Sequence, residues 1–455
     1  MSAPLTLAPP TPDLISSDTG DPSLFRRART WWLLLALFLM AQANGLFTRQ
    51  DESYWSLKSL PQTYESSPVL LLLTAILWGI CVALMVGHIR LTLGMMLKQK
   101  AVLAFVVLAL ISTVWSQDPS LTLRRTTVLF LIFAIAWFFA TYYSPADQMR
   151  LLLAAGVIVA LTSIAMALLL PQYGIASGGE WKGVFGQKNR MGLGIFYLFS
   201  SLPFCAFPNG RRLLTVMLQA ILPIGLILLS QSKTSLILTV VLIAVRVLGP
   251  FIARRRREQL PFMLYAVVFG ILGTVLALSV GRNILLPLIG RDSSFTGRTD
   301  HWTVLLSYAT KHLWLGYGFQ AFWNGTGDSL SVIHNIGATM KGSDSGYVDN
   351  MLQFGLVGMG MLLILLLVCV RDFARIIRSP SVPLTAYWYA GIIIVTFVGS
   401  FTEMLFLVPT GISDFVFVFA CAGLKNASEV EHINATSGNR IQPRFSYIGS
   451  KALPR

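Results

Sequence analysis

Charge is scarce in this chain: 12% of its 455 residues are Asp, Glu, Lys or Arg, about half the ~25% usual in soluble domains. Acids are the scarcer sign, 20 against 35 Lys and Arg. Cysteine is scarce too. The four present, Cys81, Cys205, Cys369 and Cys421, all fall inside apolar runs, which excludes a disulfide framework or a zinc site by spacing. No period of about 20–50 residues recurs, which excludes a solenoid, and no inverted duplication of broken helices appears, which argues against many secondary transporters. The first ~25 residues, rich in Pro, Ser and Asp, lack the cationic lead-in and short apolar core of a cleaved signal, and are expected to form a disordered cytoplasmic tail.

What the chain has instead is apolar length. It is 55% hydrophobic, with nearly uncharged runs of about twenty residues, each long enough to cross a bilayer and apolar on every side. The expected fold class is an all-α polytopic membrane protein of about twelve transmembrane helices. Their places are near 30–47, 67–87, 101–115, 127–143, 151–170, 191–208, 213–230, 234–252, 262–280, 351–370, 384–405 and 411–424. The organisation is then a cytoplasmic tail over 1–29, a transmembrane domain over 30–424 and a cytoplasmic tail over 425–455, disordered from about 426. Basic loops flank alternate spans: "RRAR" at 26–29, Arg90 with Lys98 and Lys100, Arg211 with Arg212, "RRRR" at 254–257, and Arg371, Arg375 and Arg378. The positive-inside rule makes these cytoplasmic, accounts for the net charge of +15 without nucleic acid, and puts both termini inside. The stretch 281–350 becomes one long extracytoplasmic loop carrying short helices, and a long loop among short ones is where function concentrates.

Against that orientation bias, three short outer loops are basic: Arg124 and Arg125 in "SQDPSLTLRRT", Lys182, Lys188 and Arg190 in "EWKGVFGQKNRMG", and Lys233 in "SQSKTS". Each precedes an apolar run. A helix N-terminus already carries unpaired N–H groups and partial positive charge, so a cation placed there worsens the local electrostatics unless an anion is bound. The pattern points to a phosphate-bearing ligand, Arg supplying bidentate contacts and Lys a point charge. The alternative is interfacial snorkelling to lipid headgroups. Gly183, Gly186, Gly192 and Gly194 fit close approach of a ligand, or tight helix packing.

In the long loop, Trp302, Leu305, Leu306 and Ala309 have the spacing of an amphipathic helix lying against the membrane face, with Arg298 and Asp300 at its start. Arg298 is either another anion ligand or the partner of Asp300. Trp314, Tyr317, Phe319, Phe322 and Trp323 are candidates to stack on sugar rings, or members of the interfacial aromatic belt. His334, Asp344, Tyr347 and Asp349 gather at the edge of the tenth span, where a His or Asp has the chemistry to accept a sugar hydroxyl's proton. Glu403 is the acid of the eleventh apolar run, placed to neutralise one of the outer cations or to serve the site.

Seven stretches in order carry a resemblance: "WSQDPSLTLRR" at 115–125, "GVFGQKNRMG" at 183–192, "SQSKTS" at 230–235, "GRTDHW" at 297–302, "LGYGFQAFW" at 315–323, "SGYVDNMLQFGLVG" at 345–358 and "FTEMLF" at 401–406. Together they resemble the O-antigen ligase and polymerase superfamily of bacterial envelope proteins, in particular its ExoQ-type exopolysaccharide polymerases. The resemblance implies a glycosyltransferase of the bacterial inner membrane, acting outside on sugars carried by undecaprenyl diphosphate. It implies that Arg124 or Arg125, Lys188, Arg190, Lys233 and Arg298 hold the diphosphate, whose growing charge they stabilise as it leaves. It implies no metal and no cofactor, and the chain has no Asp-x-Asp pair of the kind that holds a metal in nucleotide-sugar enzymes.

In one place the chain departs from the family. Members show His-Asn before the Tyr-Leu turn, whereas this chain reads "SDSGYVD", with Asp344 where His is expected and an "HN" upstream at His334 and Asn335. Asp344 and His334 are therefore alternative general bases, with Asp300, Tyr347 and Glu403 in support. The reading is a polymerase of lipid-linked oligosaccharide repeat units; the alternatives are a ligase passing glycan to a lipid or protein acceptor, and a transporter of lipid-linked sugar. The implied partners are the lipid-linked donor and acceptor, membrane lipids, and polysaccharide export or chain-length-control proteins.

Overall fold

The computed structural model describes residues 76, 79–80, 82–83, 85–204, 210–255, 298–324, 327–336, 342–379, 382–408 and 411–437. Among these the regular structure is helical, apart from one isolated antiparallel bridge between Ile175 and Trp181. The principal helices are α1 (Ile89–Lys98), α2 (Lys100–Ile111), α3 (Pro119–Tyr142), α4 (Pro145–Leu169), α5 (Lys188–Phe199), α6 (Gly210–Leu229), α7 (Lys233–Arg255), α8 (Arg298–Ala309), α9 (Asp328–Ile336), α10 (Gly346–Ile377), α11 (Leu384–Gly399) and α12 (Ile412–Ser437).

Local chemistry sets several of these boundaries. Asp118 caps α3 by accepting from the Leu121 amide at 3.0 Å, with Pro119 in the first turn. Ser144 and Pro145 start α4 in the same way, the Ser144 hydroxyl accepting from the Asp147 amide. Among the described residues, four helices are long and apolar enough to cross a membrane: α3, α4, the stretch Lys233–Phe251 of α7, and α10. The expected span at 101–115 is half of a bent pair, α1 and the stretch Lys100–Val114 meeting at 94°. The bend falls at Gln99, whose amide oxygen accepts from the Trp137 indole at 3.2 Å. The expected spans at 30–47 and 262–280, and most of 67–87, lie outside the described residues. The end of the chain corrects the expected disorder from 426: α12 continues as helix through Ser437.

α12 packs against α3, α10, α11 and α5, and α7 packs against α11. Trp137, Trp388, Tyr197 and Tyr389 are fully buried. Each polar tip has a partner, as an interior without water requires. Tyr197 pairs with Thr396 at 2.9 Å, Tyr389 donates to Gln148 at 2.6 Å and Trp388 to Ser200 at 3.2 Å. The outer face of α7 (Ile237, Val240, Ile243, Val247, Phe251) is exposed at helical spacing, as a lipid-facing stripe should be. One end of the bundle carries an ionic cluster in which Lys98 meets Glu429 at 2.6 Å and Asp372 meets Arg371 at 2.9 Å. Lys98 and Arg371 were expected in cytoplasmic loops; here Lys98 ends α1 and Arg371 lies in the last turns of α10.

The other end carries a cap with its own core of Leu305, Tyr308, Ala309, Tyr317, Phe322, Val332, Val348 and Leu352. Leu305 and Ala309 turn inward to this core and Leu306 is exposed, so the apolar stripe expected to lie on the membrane instead packs α8 against α9 and α10. The cap is fastened to α10 at a break. Gly355 has φ 60° and ψ −150°, which interrupts the helix. The carbonyls of Leu352 and Gln353, freed by the break, accept from Tyr317 at 2.8 Å and Gly318 at 3.1 Å. In return the Leu356 and Val357 amides donate to Leu313 at 2.8 Å and Trp314 at 3.2 Å. The backbone groups that the break leaves unpaired are thereby satisfied by the cap.

Candidate functional site

The starts of α3, α5, α7 and α10 meet at the cap end, around the irregular segment 400–408. Hydropathy joins this segment to α11, but the helix stops at Gly399, so Glu403 lies in a loop and not inside a span. Its carboxylate accepts from Asn189 of α5 at 2.9 Å, and its carbonyl accepts from the Gly346 amide of α10 at 3.1 Å. Thr402 lies 3.4 Å from Thr234 of α7. Ser400 accepts from the Gly346 amide at 2.8 Å and from the Ser345 hydroxyl at 3.3 Å. Tyr347 donates to the Phe397 carbonyl at 2.8 Å and packs its ring on Phe401 and Phe406, holding the segment from below.

The stretch from Trp115 to the first turn of α3 is joined to the cap at three points. Trp115 donates to the Leu315 carbonyl at 3.0 Å, Gln117 to Tyr317 at 3.1 Å, and Thr122 to Phe319 at 3.0 Å. Gly318, at φ +94°, allows this approach: a Cβ there would lie 2.7 Å from Ser116. Between α5 and α7, Gly192 serves packing in the same way, since its Cβ would meet Ser232 at 2.5 Å.

The expected anion ligands fall into distinct states. Arg124 and Lys233 are exposed, with no hydrogen-bond or ion-pair partner among the described residues. Arg190 is exposed beside Asn189. Arg125, half-buried, donates to the Gln320 amide oxygen at 2.8 Å. Lys188 is held by Glu180 at 2.8 Å, a hydrogen bond that pulls the Glu180 carboxyl below its ordinary range. Glu180 sits across the turn of Gly183 and Gly186, and charge counting did not identify it as a partner. Lys182 is 2% exposed, with no side-chain partner among the described residues, and burial lowers its pKa. Arg298 is the first residue of α8, Asp300 the third, and His334 lies on α9; their side chains are outside the described residues.

Asp344 is half-buried in a turn at φ +54°, between Ser343 and Ser345. That turn is fixed by Asp349, fully buried, whose carboxylate accepts from the Trp323 indole at 2.8 Å and from the Ser343 amide. Trp302 donates to the Ser343 carbonyl at 2.8 Å. The aromatics offered for sugar stacking are mostly structural. Tyr317, Phe319 and Phe322 are buried, and Tyr317 donates to Asp328, which Lys311 also holds, at 2.9 Å. Trp314 is exposed. A buried acid missed in the sequence, Asp414, accepts from the Leu407 and Val408 amides and so sets the end of the 400–408 segment. Among the described residues no three His, Cys, Asp or Glu side chains gather closely enough to hold a metal ion.

Asn189 beside Lys188 and Arg190, Thr234 beside Lys233, and Gln320 holding Arg125 thus all contact one anchored segment. Residues 218–363 match the O-antigen ligase family. The matched stretch contains "SQSKTS", "GRTDHW", "LGYGFQAFW" and "SGYVDNMLQFGLVG"; the stretches at 115–125, 183–192 and 401–406 lie outside it and form the other half of the contacts described above. The chain is also 25% identical over 363 residues to the Exopolysaccharide production protein ExoQ of Rhizobium meliloti (strain 1021), covering 76% of this chain and 82% of that one. Both findings bear out the resemblance carried by the motifs. No solved structure matches.

Proposed function

We propose that this membrane protein polymerises oligosaccharide repeat units carried on undecaprenyl diphosphate, by glycosyl transfer with the lipid diphosphate as leaving group. The observation that supports the reading is that the neighbours of the expected ligands, Asn189 beside Lys188 and Arg190, Thr234 beside Lys233, and Gln320 on Arg125, all contact the 400–408 segment, with Arg298 opening α8. The acceptor hydroxyl oxygen attacks the anomeric carbon as the bond to the diphosphate oxygen breaks, and its proton passes to Asp344 or His334. The cations take up the charge arriving on the diphosphate. A single displacement inverts the anomeric configuration. In this reading the chain needs no metal and has about twelve spans, both termini in the cytoplasm, and the cap and site outside the inner membrane. Export or chain-length-control proteins would receive the product.

The family match favours one second reading, transfer of glycan to a lipid or protein acceptor, because donor chemistry is shared and only the acceptor differs. The test supplies full-length protein in lipid with its lipid-diphosphate repeat unit and measures glycan length for wild type and for Arg298→Ala, Lys188→Ala, His334→Ala and Asp344→Ala. Long glycan from wild type, lost with either cation and with one of the two bases, supports polymerisation. Unextended units from folded wild type, with transfer restored by another acceptor, move the assignment to the ligase.

A further inference from the structure

The guanidinium of Arg125, an expected diphosphate ligand, is fastened by a neutral group. The Gln320 amide oxygen accepts from its Nη1 at 2.8 Å, while the same amide's nitrogen donates to the Leu407 carbonyl at 3.2 Å and the Gln320 backbone amide donates to Gln353 at 3.3 Å. Leu407 is itself fixed from behind by buried Asp414, which accepts from its amide at 2.9 Å. Gln320 and Leu407 both sit in the left-handed region, at φ 57° and 56°. Non-glycine residues enter that region at a cost, and two doing so at a single contact mark a place where the surroundings over-determine the backbone.

The choice of an amide has an electrostatic consequence. Glu180, on Lys188, cancels the charge that it holds. Gln320 immobilises Arg125 through one of the five guanidinium N–H groups without neutralising it, while Asp118 acts on the same guanidinium only through space. We propose that Gln320 is a positioning residue that pre-orients Arg125 toward the diphosphate of the lipid-linked donor. The proposal rests on the reading of Arg125 as a diphosphate ligand and adds to it the group that fixes its geometry.

The backbone supplies a clean test. At φ 57° glycine is at ease, so Gln320→Gly removes the side chain and relieves the strain together. The full chain in lipid nanodiscs is titrated with undecaprenyl diphosphate and, separately, with undecaprenol, for wild type, Gln320→Gly, Arg125→Ala and the double variant; thermal unfolding is recorded for each. The expected result for Gln320→Gly is an unfolding midpoint equal to or above wild type, a roughly tenfold weaker Kd for the diphosphate, and unchanged binding of undecaprenol. Added to Arg125→Ala, it should weaken binding no further. Diphosphate affinity unchanged in Gln320→Gly but lost in Arg125→Ala overturns the role of Gln320 alone. Affinity unchanged in Arg125→Ala overturns the diphosphate role of Arg125, and Gln320 falls with it. A lowered midpoint with equal loss of both lipids overturns the proposal in favour of a purely structural residue.

Discussion

Replacing Gly355 by Ala should detach the cap from α10. The residue's φ 60°, ψ −150° is a conformation essentially reserved to glycine, so an alanine there costs about 1–3 kcal/mol in backbone strain alone. The new Cβ would stand 2.4 Å from the Leu313 carbonyl oxygen and 2.5 Å from the Trp314 carbonyl carbon, and these are backbone atoms that cannot swing aside. Moving them breaks the hydrogen bonds from Leu356 and Val357, each with a net contribution of about 0.5–1.5 kcal/mol. Together the substitution should destabilise the outer end by about 2–6 kcal/mol. Gly360 on the same helix is the control, because a Cβ there meets nothing within 4 Å; Gly360→Ala should be neutral or gain up to about 1 kcal/mol from helix propensity. Hydrogen exchange in lipid should show faster exchange at the amides of 314–318 and 356–357 for Gly355→Ala only, alongside a lower unfolding midpoint. Matching exchange in the two variants would refute the claim that reciprocal backbone bonding across the break holds the cap.

Lys182→Met should stabilise the folded chain by about 1–3 kcal/mol, since it removes a buried cation without a side-chain partner and keeps its bulk; a lower unfolding midpoint would contradict the assignment. Because burial lowers the Lys182 pKa, the native state sheds this proton at a lower pH than the unfolded chain does. Wild-type stability should therefore rise with pH between the lowered value and the ordinary one of 10.5, and Lys182→Met should flatten that rise in a midpoint-versus-pH series. Glu180→Gln should free Lys188 and strengthen binding of undecaprenyl diphosphate by several-fold, at little cost in stability because a pair this near the surface contributes about 0–1 kcal/mol. Weaker diphosphate binding by Glu180→Gln, measured on the full chain in nanodiscs, would show that Glu180 helps the anion site and does not occupy it.

Long apolar runs were readable as spans because length and hydropathy carry that information: α3, α4, α7 and α10 lie where the runs at 127–143, 151–170, 234–252 and 351–370 placed them. Boundaries were less readable. α3 begins at Pro119 and not near 127, since Asp118 and Pro119 start the helix before the cations that marked its edge. Glu403 was assigned to a span because Phe401, Leu405 and Phe406 keep the segment apolar, and hydropathy does not register that Gly399 ends the helix. That Lys188 and Lys233 stand at helix starts was legible from their places just before apolar runs. Their partners were not. Glu180 and Lys188 are eight apart across a turn, a spacing no helix or strand period reveals, and Gln320 and Asn189 are neutral amides invisible to any count of charge. Tyr317, Phe319 and Phe322 appeared as sugar platforms because composition does not distinguish an exposed ring from one filling a cap core.

The seam between the start of α3 and the 315–319 turn also bears on how the chain is made. Trp115 and Leu315 are 200 residues apart, and Ser112 and Phe319 are 207 apart. A ribosome completing α3 leaves Ser112, Trp115 and Thr122 without these partners until the later stretch has been translated and brought to the same side of the bilayer. Closing so long a loop is entropically costly, and contacts of this separation form slowly. The seam is therefore completed only after the later stretch is made, so the start of α3 is built well before the face it belongs to is whole.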